Sequence, residues 1–154
     1  MIVSTLLNPK EKRVAIIPET VEKYIKLGFQ VILPLNSGKS AGFCDEDYQK
    51  AGAIISDEEI REPAIYLCVK SPDIKDVPPI AAGSFLIALF SPFQNAELIK
   101  SLTEKGITLC ALEKIPRITR AQSMDVLSSQ ANIAGYKAAI EAMSVYERVI
   151  PLMM

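Results

Sequence analysis

The sequence predicts an α/β fold built on a mainly parallel sheet covered on both faces. Three observations point to it. Short apolar runs alternate with segments of helical spacing along the whole chain, the pattern of repeated βα units. Two of the runs, Ala64 to Val69 and Ser84 to Phe90, are apolar without alternation, as strands buried on both faces are. Pro and Gly stand where helices begin and end. At 154 residues the chain suits one domain with a respectable core.

Ile2 to Leu7 reads as the first strand, and Arg13 to Ile17 as a loop or short strand ending at Pro18. From Pro18 to Leu27 the residues Val21, Tyr24, Ile25 and Gly28 follow helical spacing. Gln30 to Leu35 is then a strand, Asn36 to Phe43 a glycine-bearing loop, and Asp45 to Ala51 a short helix with an acidic start and Gly52 at its end. Ala53 to Ile55 reads as a short strand, Asp57 to Glu62 as a helical turn, and Ala64 to Val69 as a buried strand. The prolines of Ser71 to Pro79 make that segment a loop. Ser84 to Phe90 is the most hydrophobic strand, Asn95 to Lys105 a helix closed by Gly106, and Ile107 to Leu112 another buried strand. Helix returns from Asp125, where Ala131, Gly135, Ala138 and Ala142 lie about one turn apart on a side that permits close backbone approach.

Composition excludes several classes of function. The net charge is −1 and no basic block occurs, so the electrostatic footprint of a nucleic-acid binder is missing. The N-terminus lacks a charged region followed by a small-residue cleavage site, which predicts a cytosolic protein. The apolar segment Ile80 to Phe93 is broken by Gly83 and Pro92 and is shorter than the roughly 20 residues a spanning helix needs. Cys44, Cys68 and Cys110 form neither a disulfide framework nor a zinc signature. With no histidine, the commonest general acid–base and metal ligand is missing, and no metal site is expected.

One stretch has no core-building purpose. Pro116 to Gln130 gathers Arg117, Gln122, Asp125, Ser128 and further hydroxyls between an apolar run and an Ala-rich helix. Arg117 offers a planar fork of donors. Gln122 both donates and accepts, while Asp125 and Ser128 receive or share hydrogen bonds, a set suited to an amide- or hydroxyl-bearing ligand. The competing explanation is helix-start chemistry, since Thr119-x-x-Gln122 fits a capping box and Ser123 or Asp125 could cap the next helix. Ser37-Gly38-Lys39-Ser40 imitates the end of a P-loop, but the required earlier glycine is Leu33, and no G-x-G-x-x-G occurs to hold a pyrophosphate. Arg13 and Lys70 could each clamp a carboxylate or phosphate, or could be solvated strand ends. Lys70, Ser91 to Gln94 and Arg117 to Asp125 all follow strands, where ligands of parallel sheets bind.

The segments Glu11-Lys12-Arg13-Val14-Ala15, Ala41-Gly42-Phe43 with Tyr48 and Ala51-Gly52-Ala53, Gln94-Asn95-Ala96-Glu97-Leu98, PRITRAQSMD from Pro116 and LSSQANIAGY from Leu127 together carry a resemblance. Essentially end to end, the chain resembles the N-terminal domain of the alpha subunit of proton-translocating NAD(P) transhydrogenase, a family related to alanine dehydrogenase. The resemblance implies that residues 1–154 form a doubly wound domain, flavodoxin-like or like the catalytic domain of formate and glycerate dehydrogenases. Its C-terminal helix would lead towards a Rossmann domain that this chain does not contain.

It further implies that Arg117, Gln122, Asp125 and Ser128 contact the nicotinamide end of NAD(H), with no catalytic acid or base. NADP would be bound on a partner component, and hydride transfer would be coupled to proton movement through membrane components. A homodimer of the alpha component, peripheral to the inner membrane on the cytoplasmic side, is implied as well. Hydride transfer needs positioning more than acid–base groups, which suits a chain without histidine. Alanine dehydrogenase is the nearest alternative, because Arg13 and Lys70 match its oxo-acid positions, although its catalytic histidine is missing. A non-catalytic interaction module is the other. The isolated chain is expected to be catalytically incomplete.

Overall fold

A computed structural model describes residues 1–148. The chain divides into two compact units, the first spanning Met1–Leu112 and the second beginning at Glu113.

The first unit contains one six-stranded sheet with β1 (Ile2–Ser4), β2 (Gln30–Leu33), β3 (Ile54–Ile55), β4 (Ala64–Lys70), β5 (Phe85–Leu89) and β6 (Thr108–Ala111) in the order β3-β2-β1-β4-β5-β6. Every pairing is parallel. The chain therefore winds outward from β1 to β3, returns beside β1 at β4, and winds outward again. That is the doubly wound architecture, with its topological switch point between β1 and β4.

Three helices cover this sheet: α1 (Pro18–Lys26), α2 (Asp45–Lys50) and α3 (Ala96–Glu104). Side-chain alternation along β4 shows how the faces divide. Ile65 and Leu67 pack with Val21 and Tyr48 of α1 and α2, whereas Tyr66 and Cys68 pack with Leu98 and Leu102 of α3. Both faces of β4 are thus buried, as its unbroken apolar run implies. Helix α1 starts with Pro18 in its first turn, and its chain reverses at Gly28 with φ 85°, a conformation that glycine adopts without a Cβ penalty.

The structure corrects several boundaries. Asp57 to Glu62 forms no helical turn. Pro63 disfavours helical backbone at Glu62. Asp57 Oδ1 accepts from the Leu35 amide at 2.9 Å and Ser56 Oγ from the Glu58 amide at 3.1 Å, so side chains replace the helix's own hydrogen bonds. Strand β1 stops at Ser4 because Thr5 turns its hydroxyl onto the Leu67 carbonyl at 2.7 Å. Strand β6 is shorter than Ile107–Leu112, since Leu112 opens a 3-10 turn.

In the second unit a 3-10 segment, Thr119–Met124, precedes α4 (Val126–Ser144). The Thr119–Gln122 capping box does not form, because Ile118 caps the 3-10 segment without a side-chain hydrogen bond. Asp125 caps α4 instead. No residue of α4 is buried, and a Cβ on Gly135 would meet nothing within 4 Å.

Candidate functional site

The switch point carries a cleft of about 220 Å³, walled by the segment after β1, the loop after β2 and the end of β4. Arg13 and Lys70 both line it, so the fold brings together two cations that the sequence could only treat separately. Lys70 is the last residue of β4, and the pairing of β4 with β5 shifts register between Leu67 and Lys70. Such irregularities re-aim side chains at strand ends.

Arg13 is held by Glu11. Its Nε donates to Glu11 Oε1 at 2.9 Å and its Nη2 to Oε2 at 2.8 Å, while the Arg13 amide also donates to Oε1 at 3.1 Å. This bidentate pair fixes the plane of the guanidinium. The Arg13 hydrogen bond is the main reason the Glu11 carboxyl falls from 4.5 to about 2; burial opposes it, and the charges of Arg13 and Lys70 assist. Asn8 Nδ2 donates to the Ser71 carbonyl at 3.3 Å, tying the segment after β1 to the end of β4. The buried Tyr48 hydroxyl donates to the Ile16 carbonyl at 2.9 Å and anchors the same wall. Ser37 Oγ, in the loop after β2, is buried without a hydrogen-bond partner among the described residues.

The sequence names three of these residues without assigning them to a site. Glu11 was visible through its spacing from Arg13. Ser37 stood out only as part of a failed P-loop. Tyr48 belongs to a motif that carries the resemblance, but its partner Ile16 is distant in the chain and no local window shows the bond.

Of the other strand-following segments, Ser91 adopts φ 48° two residues after the end of β5, and its carbonyl accepts from the Gln94 amide at 2.9 Å. Asn95 Nδ2 donates to the Phe90 carbonyl at 2.7 Å and closes this turn.

The polar stretch lies in the second unit and divides into two pairs. Asp125 Oδ1 accepts from the Leu127 and Ser128 amides, each at 3.1 Å, and Oδ2 accepts from Ser128 Oγ at 2.6 Å. These bonds hold the Asp125 carboxyl below its usual range, the Ser128 hydroxyl contributing most and the Arg117 charge also helping. Both residues thus serve the start of α4. Arg117 and Gln122 are exposed, and neither side chain makes a hydrogen bond among the described residues. The helix-capping explanation accounts for Asp125 and Ser128, but it uses only the charge of Arg117 and leaves the Arg117 and Gln122 side chains without hydrogen-bond partners among the described residues. Among the described residues no group of His, Cys, Asp or Glu could hold a metal ion, and no helix is long and apolar enough to cross a membrane.

A doubly wound parallel sheet with a cleft at its switch point defines an α/β domain of the kind in which ligands bind beyond the carboxyl ends of the strands. The chain belongs to the alanine dehydrogenase/PNT, N-terminal domain family, which matches residues 3–134. It is 43% identical over 137 residues to the NAD(P) transhydrogenase subunit alpha of Haemophilus influenzae, covering 88% of this chain and 27% of that protein. The crystal structure of transhydrogenase from Sinorhizobium meliloti superposes with a TM-score of 0.87 at 40% identity, covering 100% of this chain and 47% of that one. Alanine dehydrogenase 1 of Staphylococcus aureus is more distant, 29% identical over 135 residues, covering 87% of this chain and 36% of that protein. The chain thus spans less than half the length of each.

Proposed function

We propose that this chain is the N-terminal part of the NAD(H)-binding component of an NAD(P) transhydrogenase, where it orients the nicotinamide for hydride transfer between NAD(H) and NADP(H). The observation that carries this reading is the split within the polar stretch. Asp125 and Ser128 lock the start of α4, while the Arg117 and Gln122 side chains make no hydrogen bond among the described residues. A primary amide such as Gln122 complements the carboxamide of nicotinamide, donor to acceptor and acceptor to donor. Arg117 adds a charged fork that binds carbonyl or phosphate oxygens. NAD(H) supplies the hydride-carrying ring; the protein supplies its position, which governs the rate of such a reaction.

The resemblance to the transhydrogenase relatives supports the wider assembly. NAD(H) is held jointly with a Rossmann domain, NADP sits on a partner component, and membrane components couple the reaction to proton translocation. The alpha component is a homodimer on the cytoplasmic side, attached to the inner membrane through those partners.

An alanine-dehydrogenase-like activity is the alternative, and the switch-point cleft favours it, since Arg13 and Lys70 line one cavity. Against it stands the lack of any histidine in the sequence. Titration of the ¹⁵N-labelled chain with NADH, and separately with a 2-oxo acid, discriminates the two. Shifts at residues 117–128 with NADH support the transhydrogenase reading. Shifts confined to Arg13, Ser37 and Lys70 with the oxo acid, and none at 117–128 with millimolar NADH, reverse the choice.

A further inference from the structure

Helix α4 (Val126–Ser144) carries apolar side chains on two opposite sides, and no residue of it is buried. Ile133, Tyr136, Ile140 and Met143 are 62%, 72%, 43% and 48% exposed. Their spacing of three, four and three residues puts them in one seam of a seven-residue repeat. The small residues Ala131, Gly135, Ala138 and Ala142 run along the other side. A surface helix keeps a polar face for water, whereas one that is apolar all round belongs inside a larger assembly. Single exposed apolar side chains are ordinary, but four large ones side by side mark an interaction surface.

We propose that α4 of a second copy of the chain covers this seam, the two helices running antiparallel about a two-fold axis at the level of Ala138. The inference rests on the homodimer reading given above and supplies that dimer with its surface.

Symmetry and charge both select a second copy over an unrelated partner. An interface between identical copies must complement itself, residue i meeting j as j meets i. The spacing of three, four and three reads the same in both directions. Ile133 therefore meets Met143 of the second copy, Tyr136 meets Ile140 of the second copy, and each contact occurs twice. Lys137 and Glu141 are the only charged residues of α4, and Lys137 Nζ lies 2.5 Å from Glu141 Oε1. Lys137 directly flanks the seam. In the antiparallel pair, Lys137 and the second copy's Glu141 differ in height by two residues, about 3 Å along the axis. Two positive and two negative side chains then meet beside the two-fold axis and balance. A parallel pair sets Lys137 beside the second copy's Asn132 and leaves both charges unanswered across the seam.

The test is sedimentation equilibrium of the whole chain at low salt, from micromolar to millimolar concentration, with circular dichroism of each variant to confirm that its helices persist. A monomer–dimer equilibrium is expected. Ile140→Ser should weaken it by about 10-fold or more, because each dimer loses two buried apolar side chains, while Ala131→Ser on the opposite side leaves it unchanged. Lys137→Glu and Glu141→Lys each gather four like charges at the two-fold axis and should weaken the dimer by about 10-fold. Mixing these two variants makes the four charges alternate in sign and should restore association, although neither variant regains the ion pair within its own helix. A dimer insensitive to Ile140→Ser, a loss from Ala131→Ser as large as that from Ile140→Ser, or a mixture without rescue overturns this surface and leaves the homodimer reading standing. A chain that stays monomeric at millimolar concentration overturns both.

Discussion

Replacing Glu11 with Gln removes the acceptor of the Arg13 fork, and the stability lost should shrink as the solution is acidified. The Arg13 hydrogen bond chiefly holds the Glu11 carboxyl at about 2 rather than 4.5. Because the folded value lies below the unfolded one, the carboxylate stabilises the fold fully above about pH 4.5. That contribution disappears as pH falls through about 2. At about 1.4 kcal/mol per pH unit, the gap corresponds to at most about 3.5 kcal/mol. The Arg13 side chain is 43% exposed, and solvent screening reduces the expected value to about 1 kcal/mol. Urea unfolding of the wild type and Glu11→Gln at pH 7, 4 and 2.5 measures it. The wild type should be more stable by about 1 kcal/mol at pH 7, with less than half of that remaining at pH 2.5. A difference that stays constant across the series, or no difference at pH 7, refutes the reasoning.

Two further outcomes rest on packing and exposure. Gly38 has an ordinary φ of −96°, but an added Cβ would lie 2.4 Å from Tyr48 Cε2 and 2.8 Å from Phe43 Cβ. Gly38→Ala should therefore cost about 1–3 kcal/mol by overpacking, read as a lowered melting temperature; a melt matching the wild type would show that Tyr48 is not held where its bond to Ile16 puts it. Cys44 and Cys110 are exposed and Cys68 is buried, all three unpaired. Iodoacetamide on the native chain should label the first two and spare Cys68 until denaturant is added, and an intramolecular disulfide found by mass spectrometry without oxidant would contradict the fold.

Much of the architecture was legible because parallel strands write themselves as unbroken apolar runs. Ala64 to Val69 differs from the observed β4 only by Lys70, and the Pro18 start of α1 and its Gly28 reversal follow from backbone chemistry alone. Asp57 to Glu62 misled because its acidic composition suits a helix, whereas Pro63 and two side-chain-to-backbone bonds decide the conformation. Those bonds involve a residue as distant as Leu35, which no local window contains. The candidate sites divide in the same way. Arg117, Gln122, Asp125 and Ser128 stood out as a contiguous polar block, and Asp125 was already one of the possible caps. That Asp125 and Ser128 satisfy each other while Arg117 and Gln122 do not emerges only from hydrogen-bond geometry. Arg13 and Lys70 share a cleft because β1 and β4 are neighbours, a pairing fixed by chain winding and invisible in either residue's surroundings.

The measurement that bears most directly on the proposed nicotinamide role is stopped-flow hydride transfer in a transhydrogenase assembled with this chain, comparing the wild type with Arg117→Ala and Gln122→Asn, beside thermal melts of the same variants. Neither side chain makes a hydrogen bond among the described residues, so the melting temperatures should stay where they are. A displacement of the nicotinamide by about 1 Å should slow transfer on the order of 100-fold. An unchanged transfer rate per folded molecule, accompanied by a lowered melting temperature, would contradict the account and return the stretch to a purely structural role at the start of α4.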